Sequence, residues 1–366
     1  MGAASHLAGR QLPGRRSKRM WTVIEPLEPD NDHTPGQFSV GYVVESDTGQ
    51  RAFLKASDLN LMMGAEGGDV IGRMQDALSA HQFERSILEY CRGSNMDRVV
   101  TAIDHGDCPV VIDGVRDAVF YLVFELAKCD LRSKIVEREK ADDLWRLTAL
   151  HHLAIAIHQL HKGGVCHNDI KPANCLVIDH SLQKLADLGR ATSASHPAAH
   201  DAHHDVGDDT YAAPEILYAQ SVEECSLLCK PQRRRASDLY QLGSIATYLF
   251  MGRMITPELV LRLEPAHRPP SDQNGWGGGY ASVLPYWRHA FNDVMIDLEC
   301  SLRTGRTRKQ FEVLSPLLQA IRYLSEPDPR LRGHPINRAG LEKDILGLQR
   351  FVSLFNDMRS RLLIVR

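Results

Sequence analysis

A short polar stretch in the middle of the chain carries side-chain types suited to phosphoryl transfer. It reads V-C-H-N-D-I-K-P-A-N-C-L-V over residues 165–177, and L-A-D-L-G follows at residues 185–189. This chemistry needs an aspartate to orient the attacking hydroxyl, a lysine to neutralise charge on the moving group, and an asparagine and a second aspartate to hold Mg²⁺. The chain supplies these groups, in that order, as Asp169, Lys171, Asn174 and Asp187.

The residues around this stretch predict the elements that would hold it in place. Apolar runs at residues 175–178 and 185–186 fit two short strands that flank the polar turns. The segment 147–160 is strongly apolar and predicts a helix that leads into the stretch. Regular elements on both sides are therefore expected to fix the four groups.

The polar stretch resembles the catalytic loop H-R-D-x-K-x-x-N of the eukaryotic-type (Hanks-type) serine/threonine protein kinases, and residues 187–189 resemble their metal-binding D-F-G turn. This resemblance to a divergent member implies that Asp169 and Lys171 are catalytic. It implies that Asn174 and Asp187 bind the metal ion. It also implies ATP with Mg²⁺ or Mn²⁺ as cofactors and a protein as the substrate.

Two positions depart from the family pattern. Asn168 stands where many members have an arginine that pairs with a phosphate on the activation segment, so we expect catalysis that does not depend on phosphorylation of that segment. Asp208 stands where a threonine is expected to contact Asp169 and Lys171, and Thr210 is the candidate substitute.

The resemblance implies an α+β class and a bilobal protein-kinase-like fold, with a small β-rich N-lobe and a larger, mainly helical C-lobe. The expected divisions are a disordered basic tail at residues 1–20, the N-lobe at 21–126, the C-lobe at 127–335 and a C-terminal helical extension at 336–366. The tail is inferred from its charges, because the first 20 residues hold basic side chains and no acid.

The expected N-lobe begins with a β-hairpin, since residues 38–44 alternate in polarity and a polar turn separates them from residues 51–55. Lys55 ends the second strand. By the resemblance it pairs with the α- and β-phosphates of ATP, and a helical glutamate holds it. Glu84 fits best because it belongs to an amphipathic helical pattern, and Glu89 is the alternative.

The glycine-rich loop and the hinge are less distinct. Gly36 keeps one loop glycine while Ser39 replaces another, or in a second register Gly36 and Gly41 are the outer glycines. Glycine matters there because a Cβ obstructs the approach of backbone amides to phosphate oxygens. Farther on, an apolar strand resembles the hinge that contacts adenine, through the Glu125 carbonyl and the Ala127 amide.

The C-lobe carries further motifs. Residues 211–215 resemble the A-P-E element, and the resemblance predicts an ion pair between Glu215 and Arg332 of a late D-P-x-x-R motif. Asp238 resembles the aspartate of a D-x-x-x-x-G helix start, which hydrogen-bonds the catalytic-loop backbone. We expect Ser237 to cap that helix, since serine is a favoured N-cap residue.

The activation segment between the D-L-G turn and residue 215 is rich in histidine. Such a cluster can bind a metal ion or respond to pH, but the many small residues between the histidines favour a mobile polar loop. The histidines are His196, His200, His203 and His204.

Composition fits a soluble globular protein. The chain has 366 residues, of which 43% are hydrophobic and 24% charged, with a net charge of −3. Its apolar runs fall short of the roughly 20 residues of a membrane span, and the N-terminus lacks the apolar centre of a signal peptide. We therefore expect a cytoplasmic protein without a membrane partner. The net charge also argues against a nucleic-acid partner, and the oligomeric state is not readable.

The sequence leaves three functions open. The favoured one is ATP-dependent phosphorylation of serine or threonine in proteins, because Lys171 lies two residues after Asp169 as in that branch of the family. A small-molecule kinase resembling choline or aminoglycoside kinases shares H-x-D-x-x-x-x-N, but the A-P-E element argues against it. A pseudokinase scaffold is suggested by the degraded glycine loop, whereas retention of Lys55 and Asp187 opposes it.

Overall fold

The computed structural model of the chain describes residues 2–27, 39–57, 70–112, 114–136, 142–202, 207–218, 228–270, 275–339 and 344–365. The chain divides into two compact units. The first comprises Met1–Lys128, Ala186–Gly189 and His196–Ala199, and the second comprises Cys129–Leu185, Arg190–Ser195 and His200–Arg366. The main segment of the first unit ends at Lys128, where the sequence predicts a boundary after residue 126.

The first unit is built on an antiparallel sheet. Its strands are β1 (Gln11–Pro13), β2 (Met20–Pro26), β3 (Ser39–Ser46), β4 (Arg51–Ser57), β5 (Asp104–Ile112) and β6 (Val115–Glu125). The order is β1-β2-β3-β4-β6-β5, so the predicted hairpin of β3 and β4 lies at its centre. In β4 every second residue is buried, as expected for a strand with one face on a core.

One long helix, α1 (Val70–Gly93), belongs to the same unit. Phe83 is buried on it together with Ile87 and Leu88, four and five residues later, which is the periodicity of a helix with one apolar face. The ring of His81 contacts that of Phe120 on β6, with centroids 5.3 Å apart. These contacts attach the helix to the sheet.

Residues 2–20 are ordered, so the prediction of a disordered basic tail is wrong. The segment forms a 3₁₀ turn at Ala3–His6 and then strand β1. Ala4, Leu7 and Leu12 are fully buried in the core that also contains Trp21. The prediction relied on the basic charges and overlooked these few apolar residues. Because their burial removes apolar surface from water, it favours folding of the segment onto the sheet.

A buried carboxylate anchors this N-terminal segment. Asp104 accepts hydrogen bonds from the backbone nitrogen of Arg16 at 3.0 Å and from Nε1 of Trp21 at 3.0 Å. The Ser17 hydroxyl donates to the same carboxylate. Position 14 needs glycine, because a Cβ on Gly14 would overlap Asp104. The carboxylate therefore offsets its own desolvation by satisfying donors of the segment.

The second unit is mainly helical. Its described helices are α2 (Leu131–Val136), α3 (Asp143–Lys162), α4 (Pro214–Leu217), α5 (Lys230–Met251), α6 (Ile255–Arg262), α7 (Tyr280–Arg303), α8 (Arg308–Leu314), α9 (Pro316–Leu324), α10 (Pro335–Ala339) and α11 (Gln349–Ile364). Its short strands are β7 (Cys129–Asp130), β8 (Val165–Cys166), β9 (Cys175–Val177), β10 (Gln183–Leu185) and β11 (Thr192–Ser193). They pair as β10-β9-β7 and β11-β8, and residues 167–174, which carry the first predicted catalytic motif, connect β8 to β9 along the chain.

Helix α5 begins earlier than the sequence suggests. It starts at Lys230 with Pro231 in its first turn, so Ser237 is a buried interior residue and not the predicted N-cap. Proline favours the first turn because its missing N–H has no helical partner there. Later in the helix Gly243 is required, since a Cβ would overlap the side chain of Ser325.

The C-terminal helix α11 packs on α3. Nδ1 of His151 lies 3.1 Å from the carbonyl oxygen of Val352. Phe351, Phe355 and Met358 are buried at helical spacing, so the predicted amphipathic helix covers part of the same unit. Within the described part of the chain, no helix combines the length and the apolar character needed to cross a membrane.

We expect Leu12→Ala to lower the free energy of unfolding by about 2–5 kcal/mol, because it removes a fully buried side chain from the core under the N-terminal segment. Leu27→Ala, at a side chain 44% exposed in the same unit, is the matched control and is expected to change stability far less. Guanidinium denaturation measures both variants. Equal small losses would contradict the packing of residues 2–20.

Candidate active site

The first unit brings together one lysine and two carboxylates. Lys55 near the end of β4 places its Nζ 2.8 Å from Oε1 of Glu84 on α1. The same Nζ lies 3.2 Å from Oδ1 of Asp187 in the D-L-G turn. The alternative glutamate, Glu89, instead faces Arg85 at 3.8 Å on the same helix.

Burial and charge act in opposite directions on this cluster. Burial alone lowers the pKa of Lys55, but the adjacent carboxylates of Asp187 and Glu84 outweigh it and raise that pKa above the ordinary value. Burial raises the pKa of Glu84, and the Lys55 ammonium partly offsets the rise. The lysine therefore stays charged at physiological pH, as a phosphate-binding cation must.

The D-L-G turn has a constrained backbone. Asp187 has φ of 66°, a left-handed conformation that non-glycine residues adopt rarely. Its Oδ1 lies 3.4 Å from the backbone nitrogen of Gly189. A Cβ at Gly189 would stand 3.3 Å from that oxygen, closer than most Cβ contacts. The turn thus directs a carboxylate toward Lys55.

The second unit brings together the other predicted groups. Nζ of Lys171 lies 3.2 Å from Oδ2 of Asp169. Nδ2 of Asn174 donates to the backbone oxygen of Asp169 at 2.8 Å and to its Oδ2 at 3.1 Å. The other carboxylate oxygen, Oδ1, is buried and has no hydrogen-bond partner among the described residues. Oδ1 of Asp169 is therefore a buried acceptor without a hydrogen-bond partner among the described residues, on a carboxylate that contacts the Lys171 ammonium.

Asp238 on α5 hydrogen-bonds the backbone of this loop. Its carboxylate accepts hydrogen bonds from the backbone nitrogens of His167 at 2.9 Å and Asn168 at 2.8 Å. It also lies 2.8 Å from Nε2 of His161 at the end of α3. Asp238 is fully buried, so these donors stabilise its charge in place of water.

Sequence reasoning missed two supporting side chains. Gln241 accepts from the backbone nitrogen of Ile170 at 3.1 Å and donates to the carbonyl of Asn168 at 3.1 Å. His161 was missed as the partner of Asp238. The signal for Gln241 was its place one helical turn after Asp238, on the same face of α5.

Asn168 connects the catalytic loop to the start of the activation segment. Its Nδ2 donates to the carbonyl of Arg190 at 2.9 Å and lies 3.2 Å from Oγ1 of Thr192. Its own backbone is left-handed, with φ of 65°, a region that asparagine tolerates better than most residues. The amide that replaces the family's arginine therefore contacts the segment directly.

Asp208 contacts the catalytic loop from the other end of the segment. Its Oδ2 lies 3.3 Å from Nζ of Lys171, which thereby contacts two carboxylates. Burial lowers the pKa of Lys171, but Asp169 and Asp208 outweigh this and raise it. Gly207, at φ of 109°, packs so closely on the Asn168 carbonyl that a Cβ would overlap it. Asp208 rather than Thr210 thus approaches Lys171.

Glu215 and Arg332 form a buried ion pair. Nη1 and Nη2 of Arg332 donate to the two carboxylate oxygens of Glu215 at 2.5 and 2.6 Å. Nε of Arg332 donates to the carbonyl of Glu326 at 2.7 Å. Burial lowers the pKa of Arg332, and Glu215 more than restores it. The bidentate geometry fixes α4 and the end of the activation segment.

The glycine-loop and hinge residues that the structure describes lie in other elements of the first unit. Gly36 lies outside the described residues, and Gly41 is in β3 against the ring of Phe53. Glu125 ends β6, and Ala127 lies in the irregular segment that follows it.

The activation-segment histidines have separate environments where they are described. The ring of His196 lies 5.1 Å from that of Tyr90, and Nε2 of His200 lies 2.8 Å from the carbonyl of Ala191. His203 and His204 lie outside the described residues.

Each unit offers an oxygen donor of the kind that a divalent cation takes. In the second unit, Nδ2 of Asn174 is used by Asp169, so the amide oxygen of Asn174 is the atom left for a metal. In the first unit, Asp187 offers a carboxylate whose side chain is 46% exposed. Amide and carboxylate oxygens are the ligands that Mg²⁺ and Mn²⁺ prefer.

Comparison with known proteins identifies the family. The protein kinase domain model matches residues 69–262, more than half of the chain. The chain is 27% identical to mouse dual specificity protein kinase TTK over 42% of its own length and 18% of the relative's. It is 31% identical to Drosophila melanogaster extracellular signal-regulated kinase 7, over 36% of this chain and 16% of that one. It is 36% identical to rat serine/threonine-protein kinase DCLK1, over 37% and 29%.

The fold agrees with this assignment. The kinase domain of a Toxoplasma gondii specific rhoptry antigen superposes with a TM-score of 0.56 at 12% identity, covering 98% of this chain and 88% of that one. The chain therefore belongs to the protein kinase family, and the predicted α+β protein-kinase fold is confirmed. The matched segments span less than a third of the three named relatives' lengths.

We expect Glu215→Gln to destabilise the protein by about 3–5 kcal/mol, because it leaves the fully buried Arg332 guanidinium without a counter-charge. Glu299→Gln is the matched control, since its pair with Arg303 is on the surface, where the two side chains are 43% and 59% exposed. That change is expected to cost about 0–1 kcal/mol. Urea denaturation compares them, and similar losses would show that the buried pair is not a structural anchor.

Proposed function

We propose that the protein transfers the γ-phosphoryl group of ATP to serine or threonine hydroxyls of protein substrates. The observation that carries the proposal is the buried Oδ1 of Asp169, which has no hydrogen-bond partner among the described residues while Lys171 and Asn174 hold the other oxygen. An acceptor left open in this way suits a hydroxyl proton.

Each group then has a separate task. Lys55, kept charged by Glu84 and Asp187, binds the α- and β-phosphates. Asp169 orients the acceptor hydroxyl and accepts its proton, and Lys171 stabilises negative charge on the γ-phosphoryl group. The catalytic gain comes from holding these charges in place before the substrate arrives.

A divalent metal ion completes the proposal. Asn174 and Asp187 would hold Mg²⁺ or Mn²⁺, which neutralises charge on the β- and γ-phosphates. The left-handed backbone of Asp187 supports this role, since such conformations persist where the surrounding structure requires a particular side-chain direction.

The acceptor class is supported by the activation segment. Glu215 and Arg332 fix the A-P-E element, and a segment held in this way would offer a surface to a polypeptide substrate. A small-molecule kinase has no need of that element. A pseudokinase is the less favoured alternative, because Lys55, Glu84 and Asp187 still form their cluster.

We expect Asp169→Asn to lower phosphoryl transfer by about 10²–10⁴-fold, because the amide cannot accept the hydroxyl proton. The measurement is transfer of radiolabelled phosphate from ATP to a generic protein, together with nucleotide affinity, which should change little. Asp357→Asn, at a side chain 60% exposed, is the control. Labelling of choline or an aminoglycoside instead of protein would favour the small-molecule kinase, and an inactive native chain that binds nucleotide would favour the scaffold.

Activity should not depend on phosphorylation of the activation segment. Asn168 already fastens the start of that segment through its amide, and no arginine stands there to pair with a phosphate. We expect the rate to change less than about twofold after treatment with a phosphatase. The same assay on untreated protein is the reference, and a large loss of activity on treatment would contradict the prediction.

A further inference from the structure

A small, partly open cavity lies at the surface of the first unit, separate from the lysine and carboxylate cluster, and the side chains of Arg15 and Arg85 in its wall are 59% and 40% exposed. Its volume is about 80 Å³, enough for a few water molecules or one small polyatomic ion but not for a nucleotide. The N-terminal segment, helix α1 and strand β5 each contribute to its wall. The polar side chains that line it are Arg15, His81, Gln82, Arg85, His105 and Asp107.

The charged side chains of the lining carry more positive than negative charge. Two arginines, Arg15 and Arg85, face a single acid, Asp107, among the described residues of the wall. Arg15 forms an ion pair with Asp107 through Nη2. Its backbone nitrogen donates to the carbonyl of His105 at 2.9 Å, which fixes the segment against β5.

Arg85 carries the strongest sign of a missing partner. Its Nε is buried and has no hydrogen-bond acceptor among the described residues. The nearest carboxylate oxygen, Oε1 of Glu89, is 3.8 Å away, which exceeds hydrogen-bond distance. A buried donor without an acceptor is costly, so this nitrogen calls for an acceptor inside the cavity.

His81 is an uncharged part of the same wall. It is 8% exposed, and Nδ1 lies 3.3 Å from Oγ of Ser57. Burial lowers the pKa of His81 to about 4, and the charges of Arg85, Lys55 and His105 contribute to the fall. The imidazole is therefore neutral at physiological pH, and the positive charge of the wall comes from Arg15 and Arg85.

We propose that this cavity binds a small tetrahedral oxyanion of the phosphate class, held by the guanidinium groups of Arg15 and Arg85. Guanidinium groups match phosphate oxygens with paired donors, and both groups retain nitrogens that bond no described residue. The anion is either free phosphate or the phosphoryl group of a phosphorylated side chain.

Occupation of the cavity has a structural consequence. Arg85 directly follows Glu84, which contacts Lys55 at 2.8 Å. An anion that connects Arg85 to Arg15 would tie this turn of α1 to the N-terminal segment. The segment thus supplies half of a site that steadies the helix.

The test is titration of the full chain with inorganic phosphate in magnesium-free buffer, followed by calorimetry and by thermal melting at constant ionic strength. We expect one phosphate per chain and a rise in melting temperature. Arg85→Gln and Arg15→Gln should each weaken binding about tenfold or more, the usual size of a lost charged hydrogen bond. Arg51→Gln, at a side chain 55% exposed elsewhere in the unit, should leave binding unchanged.

Controls separate binding from folding and identify the source of the anion. Circular dichroism and the melting temperature without phosphate show whether each variant is folded, and Arg85→Lys, which keeps the charge but not the paired donors, should bind with intermediate affinity. A phosphoserine peptide that binds more tightly than phosphate, with the same arginine dependence, identifies a side-chain phosphoryl group, and weaker binding identifies free phosphate. No saturable binding, or equal binding by native chain and both arginine variants, would overturn the proposal.

Discussion

The buried carboxylate of Asp238 is the constraint on which the rest of the second unit's site depends. It accepts hydrogen bonds from two successive backbone nitrogens of the catalytic loop and contacts His161. Without Asp238, the buried backbone nitrogens of His167 and Asn168 would lack acceptors. This loop conformation would then be less stable, because buried polar groups without hydrogen-bond partners cost free energy. Gln241 adds a second attachment one turn later. The loop backbone is therefore anchored to α5 on both sides of Asp169, which positions that residue.

The activation segment is fastened to this loop by contacts internal to the chain. At its start, the Asn168 amide bonds the segment backbone, and at its end Gly207 packs on the Asn168 carbonyl. Beyond that point Glu215 is fixed by Arg332. None of these contacts involves a modification, so the described ends of the segment hold their positions by hydrogen bonding and packing alone. Asn168 thus bonds the segment from the position where the resemblance leads one to expect an arginine.

The sequence predicts most of the site because its determinants are local. Asp169, Lys171 and Asn174 lie within six residues, so one loop conformation brings them together. Lys55 and Glu84 were paired only by resemblance, since no local rule connects a strand to a helix 29 residues away.

The errors arose where local signals compete. In residues 2–20 the basic charges masked the sparse apolar positions, and at α5 the capping preference of Ser237 competed with Pro231, which starts the helix earlier.

Asp208 shows how a residue that departs from a family pattern can form contacts of its own. A threonine there would offer a neutral hydroxyl, whereas Asp208 shares Lys171 with Asp169 and raises the pKa of the lysine. The cluster of two carboxylates and one ammonium has a net charge of about −1, so Lys171 is already held before any phosphate approaches. In the proposed reaction a phosphoryl group would compete with Asp208 for Lys171, which would cost binding energy but remove the need to order a flexible side chain. Asp208 in place of threonine therefore weakens the attraction between Lys171 and a phosphoryl group, but it holds the lysine side chain in position beforehand.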